Sequence, residues 1–131
     1  MKPKFLNVDL EVVATARPRA LMAYMDQHGV VLHSGKTAKG YFVTWESGAM
    51  PRSPKQALRA FTAAIRGLNP AARKEYAAAR QRQFSIGYET QRTPCAEIAL
   101  GKQEMEMILA MNGTASVVLY NRTEQRGRTG R

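Results

Sequence analysis

The chain has 131 residues, 44% of them hydrophobic, which suits one domain with a packed core and argues against wholesale disorder. Twenty Lys and Arg against ten Asp and Glu leave a formal charge of +10, which favours an anionic partner and disfavours a strongly cationic one. A single cysteine, Cys95, excludes an intrachain disulfide and a multi-cysteine zinc site.

From the N-terminus, Leu6, Val8, Leu10, Val12 and Ala14 recur with period two, the mark of a half-buried strand. The interspersed Asn7, Asp9 and Glu11 interrupt the apolar run that a signal peptide requires. No stretch is apolar enough to cross a bilayer, and the expected location is cytoplasmic. Arg17-Pro18 opens a helix with Leu21, Tyr24, Met25 and His28 on its inner side, and Gly29 stands where a left-handed cap would fall. Val30–His33 is a short strand, Ser34–Gly40 a loop, and Tyr41–Glu46 a strand with Tyr41, Val43 and Trp45 on one face.

The stretch Ser53–Phe84 organises the rest. Ser53, Pro54 and Gln56 form a helix-start signal of the capping-box type. Leu58, Phe61, Ile65 and Leu68 then make an apolar stripe, with Lys55, Arg59, Thr62 and Arg66 on the opposite side. Asn69-Pro70 starts a second helix, with Ala72, Tyr76 and Ala79 facing one way. Between Ser53 and Phe84, Lys55, Arg59, Arg66, Arg73, Lys74, Arg80 and Arg82 are opposed only by Glu75.

Phe84–Glu89 returns to period two, and Ala96, Ile98 and Leu100 alternate as a further strand. Lys102–Met111 reads as a short helix with Met105, Ile108 and Leu109 toward the core. Met22 and Met107 fall off the main stripes and suit a partner surface. Ala115–Tyr120 is the last strand. Residues 1–120 form the expected single domain, and 121–131, basic and without an apolar residue, a flexible tail.

The resulting order contains a strand–helix–strand–strand–helix–strand unit, the arrangement of ferredoxin-like folds. The expected fold class is therefore α+β, a mixed or mainly antiparallel sheet with helices mainly on one face. A further strand–helix–strand extends it.

Few chemistries fit. His33-Ser34-Gly35-Lys36-Thr37 mimics a phosphate loop, but five residues rather than four separate Gly29 from Gly35, and a strand rather than a helix follows. His28 and His33 lack further ligands at metal-binding spacing. Cys95 reads as a small semi-buried side chain rather than a thiolate nucleophile. Glu89 and Glu97, on consecutive strands, face each other only if those strands form a hairpin. Phe84, Ile86, Tyr88, Tyr41 and Trp45 read as core rather than as a base-stacking platform.

No catalytic residue, metal or cofactor is assigned, and an enzyme ranks below a binding module. The favoured function is a non-enzymatic module whose basic helical face contacts a polyanion, nucleic acid first among the candidates. The contacts expected are Lys55, Arg59, Arg66, Arg73, Lys74, Arg80 and Arg82, with Lys36 and Lys39 from the loop. The alternative is a protein-interaction module of inhibitor, immunity or regulatory type. It would bind an acidic protein or form a homodimer through its outer strands.

Overall fold

The computed structural model describes residues 3–48, 50–91 and 97–121. These form an α+β domain in which four helices accompany one five-stranded, mixed, open sheet. The chain order is β1 (Lys4–Ala14), α1 (Arg19–His28), β2 (Val30–Thr37), β3 (Gly40–Glu46), α2 (Pro54–Arg66), α3 (Pro70–Ala78), β4 (Gln81–Thr90), α4 (Lys102–Ala110) and β5 (Thr114–Asn121). Across the sheet the strands run β2-β3-β1-β4-β5. All neighbours are antiparallel except β4 and β5, which are parallel and joined through α4.

The period-two pattern decides which face of the sheet is covered. Val8, Leu10 and Val12 of β1, Val43 and Trp45 of β3, and Phe84 and Ile86 of β4 are buried under the helices. Phe61 of α2 sits between Trp45 and Phe84, edge-on to both, with ring centroids 5.4 and 5.5 Å away. Leu21, Tyr24 and Met25 of α1, Ala57 and Leu58 of α2, Ala72 and Tyr76 of α3, and Ile108 of α4 pack onto them. The alternate residues Asn7, Asp9, Glu11, Thr44, Glu46, Gln83, Ser85 and Ser116 line the other face, which no helix of the described residues covers.

Local start signals act as the sequence dictates. Ser53 accepts a hydrogen bond from the Gln56 N–H at 3.1 Å, and Asn69 from the Ala72 N–H at 2.9 Å, each ahead of a first-turn proline. The Gln56 side chain accepts from the Arg52 N–H, one residue earlier than a strict capping box requires. Pro18 offers no side chain to cap α1. Glu75 of α3 does so instead, its Oε1 accepting from the Leu21 N–H at 2.8 Å and tying α3 to α1.

Several expectations are corrected. Residues 97–100 carry no strand. The two sides of β4 are already occupied by β1 and β5, which leaves no seat beside it for a strand at Ile98 and Leu100. Cys95 and Ala96 lie outside the described residues, as does 122–131. Glu97 is exposed off the sheet, whereas Glu89 pairs in register with Lys4 and Tyr120, so the two glutamates do not share a hairpin. The supposed loop from Ser34 is mostly strand, since β2 runs through Gly35 and Lys36 to Thr37. Leu6 is exposed beside an irregularity of β1 between Phe5 and Asn7.

Gly29 has φ −172°, ordinary extended backbone rather than a left-handed cap. What requires glycine there is space: a Cβ would fall inside the Trp45 indole and against the Glu46 carbonyl. His28 is exposed rather than inward, its ring stacked on Tyr24 at 3.9 Å. On α4, Met105 and Leu109 point away from the core while Ile108, Met107 and Met111 pack against it. Met22 packs there too, so neither Met22 nor Met107 is the exposed member of its helix.

Candidate polyanion-binding surface

The cations singled out by the sequence fall into two groups linked by α3. The first lies along α2 and at its corner with α3. Lys55, Arg59 and Arg66 follow one another at helical spacing, with Arg59 and Arg66 exposed and Lys55 half-buried. Arg73, at the start of α3, donates through Nη2 to the carbonyls of Arg66 and Leu68 at 3.0 and 3.1 Å. Its charge thus sits at the C-terminus of α2, where the helix dipole favours a cation. Lys74 projects beside it into solvent.

The second group lies at the end of the sheet where β1 finishes and β4 begins. Arg80 donates its backbone N–H to the Val13 carbonyl at 2.7 Å and its Nη1 to the Lys39 carbonyl at 2.7 Å. Residues 41 apart in sequence are brought into contact by that bond. Lys36 pairs across the β2–β3 hairpin with Tyr41, on the helix side of the sheet. The Arg17 guanidinium lies over the Tyr41 ring, 5.8 Å from its centroid. Arg17 and Tyr41 therefore join Lys36, Lys39 and Arg80, an association that only the strand register reveals. Arg73 lies near the start of α3 and Arg80 two residues beyond its end, so α3 runs between the two groups.

Arg82 behaves differently. Its Nε donates to the Asn112 carbonyl at 2.8 Å, and its Nη1 to the Tyr76 and Ala79 carbonyls at 3.0 and 2.8 Å. Its guanidinium also lies 5.7 Å from the Tyr76 ring centroid. This half-buried side chain clamps the end of α3 to the turn between α4 and β5. The Tyr76 hydroxyl, buried beneath it, donates to the Met111 carbonyl at 2.6 Å, and burial pushes its pKa up to about 12 against the pull of Arg82. Tyr76 is therefore a neutral donor at any physiological pH.

Three acidic groups collect elsewhere. Asp9, Glu11 and Glu46 stand on the uncovered sheet face, Asp9 directly across from Glu46 in the β1–β3 register. The Asn7 amide bridges the two carboxylates, donating to Glu46 and to Asp9. Burial first, then the Glu46 charge, raises the Asp9 pKa above its ordinary value, and His33 lowers it. Sequence periodicity placed these acids on one side of β1, but the pairing with Glu46 and the nearby His33 depend on register.

Among the described residues, no three His, Cys, Asp or Glu side chains are placed to hold a metal ion. No helix of the described residues is long and apolar enough to cross a membrane. The candidate site is thus a set of cations on α2, on α3 and at the adjoining end of the sheet, with Asp9, Glu11 and Glu46 on the other sheet face and Asp26, Glu75, Glu104 and Glu106 on the helices themselves. Comparison with known protein families, curated proteins and solved structures gives no match.

Proposed function

We propose that this chain is a non-enzymatic module that binds a polyanion, nucleic acid, through the helical side of its sheet. One observation carries the reading: the Arg73 guanidinium bonds the Arg66 carbonyl and the Arg80 guanidinium the Lys39 carbonyl, drawing basic residues of α2, α3 and the β2–β3 turn together, while Asp9, Glu11 and Glu46 lie on the other face of the sheet. A local excess of positive charge of this kind steers an anionic ligand toward it. Lys36, Lys39, Arg59, Arg66 and Lys74, with the half-buried Lys55, are the phosphate contacts, because flexible side chains free of backbone carbonyls can follow a backbone of regularly spaced charges. Arg73 and Arg80 add charge held in place by carbonyls, and Arg82 serves the fold more than the ligand.

Two finer readings accompany this one. Strands β1 to β4, all antiparallel in the order β2-β3-β1-β4, support a ferredoxin-like unit extended by α4 and β5. A cytoplasmic location belongs to the same proposal, since the polyanion must be accessible.

The experiment is charge reversal at Lys55, Arg59 and Lys74, whose side chains are not tied to backbone carbonyls. The triple variant should lose nucleic-acid affinity and keep its circular dichroism and melting temperature. Unchanged affinity would place binding elsewhere. An acidic protein would meet the same cations, so capture is repeated after nuclease treatment. A stoichiometric protein complex that survives nuclease supports the acidic-protein reading and counts against nucleic acid.

A further inference from the structure

The helix layer stops short of the last strand. In the β4–β5 register, Ala115, Val117 and Leu119 continue the face on which Phe84, Ile86 and Tyr88 carry the helices. Yet Val117 and Leu119 are 44% and 49% exposed, and on α4 beside them Met105 and Leu109 are 45% and 70% exposed. Leu100, Met105, Ile108, Leu109 and Ala115 line a groove of about 390 Å³ there. Beyond β5 no strand follows among the described residues. An outer strand with no neighbouring strand among the described residues, beside an apolar groove, is the pattern that native monomers avoid.

We propose that a second copy of this chain docks on this edge, β5 against β5 antiparallel, continuing the sheet across the two subunits. Charge selects the occupant. Two chains of +10 each repel one another except through a neutral surface, and β5, Thr114–Asn121, contains no charged residue. The opposite edge strand, β2, carries Lys36 and His33 and is blunted against pairing. An acidic or basic partner gains nothing from β5, whereas an identical apolar surface does. Lys102 and Glu106, on the same outer side of α4 as Met105 and Leu109, rim the groove with opposite charges, so self-pairing meets no net repulsion there.

Geometry agrees. Antiparallel pairing of identical edges places the two-fold axis perpendicular to the sheet. That operation leaves both helix layers on the same side and turns the two α4 helices toward each other over the shared strands. A ladder centred on Val118 sets Val117 of each copy beside Leu119 of the other, on the helix side. The exposed faces of Met105 and Leu109 then close over them. This contact does not depend on the polyanion reading. It would set two cationic bands on one side of a continuous sheet.

The test is sedimentation equilibrium of nuclease-treated protein at low and at molar salt. The expected mass is twice the 14.6 kDa of one chain, unchanged by salt because the contact is apolar and backbone-made. Leu109→Glu and Val117→Lys, each at a position already exposed, should give single chains with unaltered circular dichroism. Leu109→Glu is the safeguard should Val117→Lys misfold, because Leu109 takes no part in the sheet. A wild-type chain that stays at one subunit mass at the highest concentration reached overturns the proposal. A dimer that survives both substitutions, or that dissociates in high salt, overturns it equally. Because nucleic acid is removed beforehand, these outcomes do not bear on polyanion binding.

Discussion

Arg82 is the residue at which the fold and the charge can be separated by experiment. Arg82→Met keeps the length of the apolar stem and removes the guanidinium. Three carbonyls lose a donor, those of Tyr76, Ala79 and Asn112, although the Tyr76 carbonyl keeps the Ala79 N–H at 3.3 Å. The Asn112 carbonyl belongs to an exposed residue and can rehydrate, so its loss costs little. The other two are part-buried at the C-terminus of α3, and hydrogen bonds from a charged donor contribute about 1.5–3 kcal/mol each before solvent exposure is discounted. Arg82 is half-exposed and the Tyr76 carbonyl keeps the Ala79 N–H, so one bond at the low end of that range and a weaker second one are lost, and the expected destabilisation is about 2–3 kcal/mol. For a domain of this size that corresponds to a fall in Tm of roughly 5–15 °C. Arg82→Lys preserves the charge but offers a single ammonium where a fork reaches carbonyls on α3 and in the α4–β5 turn. It should lose most of the same stability. Urea titration followed by Trp45 fluorescence reads both variants, and anisotropy of a labelled nucleic acid, well below Tm, reads binding. Lys at this position should leave affinity near wild type. An Arg82→Met protein within about 0.5 kcal/mol of wild type would refute the clamp, because surface substitutions away from specific contacts fall in that range.

Other positions give independent checks. Gly29→Ala drives a methyl into the Trp45 indole and the Glu46 carbonyl; the expected cost is about 1–3 kcal/mol or more, with a shift in tryptophan emission, and unchanged emission and Tm would contradict the contact. Glu75→Ala uncaps α1 from across the interface, at about 1 kcal/mol, whereas Glu75→Gln keeps an acceptor for the Leu21 N–H and should recover most of it. Hydrogen exchange at Leu21 reports the difference, and equal exchange in both variants would argue against the cap. Asp9→Asn tests the carboxylate pair. The folded-state pKa of Asp9 is raised, so its stabilising contribution is present below the ordinary value of 3.8 and is lost as pH rises through the folded value. The substitution should therefore stabilise the protein at pH 7 and lose that advantage in acid; the same gain at both pH values would show that the charge is not responsible.

How much of this was legible beforehand depended on the range of the interaction. Ser53 and Asn69 cap their helices through bonds spanning three residues, and their identities alone set the starts of α2 and α3. The alternation in β1 and β3 named the covered face, because a period of two leaves no choice once one side is apolar. In α4 the sequence offers two apolar sides, Met105 with Leu109 and Met107 with Ile108 and Met111. Only the position of α2, against which α4 packs, decides which is buried, and no local pattern contains that. The strand expected at Ile98 and Leu100 failed for a related reason: alternation can nominate a strand, but the seat beside β4 goes to β5. The cations were visible as a list. That Arg73 and Arg82 are tied to backbone carbonyls, and that Arg80 meets Lys39 across the end of the sheet, is a consequence of topology.

The most direct test of the cationic band is the salt dependence of its affinity for a nucleic-acid duplex, measured by fluorescence anisotropy with wild type and with Lys55→Glu/Arg59→Glu/Lys74→Glu. Four to six phosphate contacts predict a loss of affinity of about 10²–10³-fold between roughly 50 and 200 mM salt for B-form DNA. The triple variant should bind more weakly and show a slope shallower by about one for each phosphate contact removed. Affinity that stays level across the salt series, or a slope that survives the substitutions, would contradict the account.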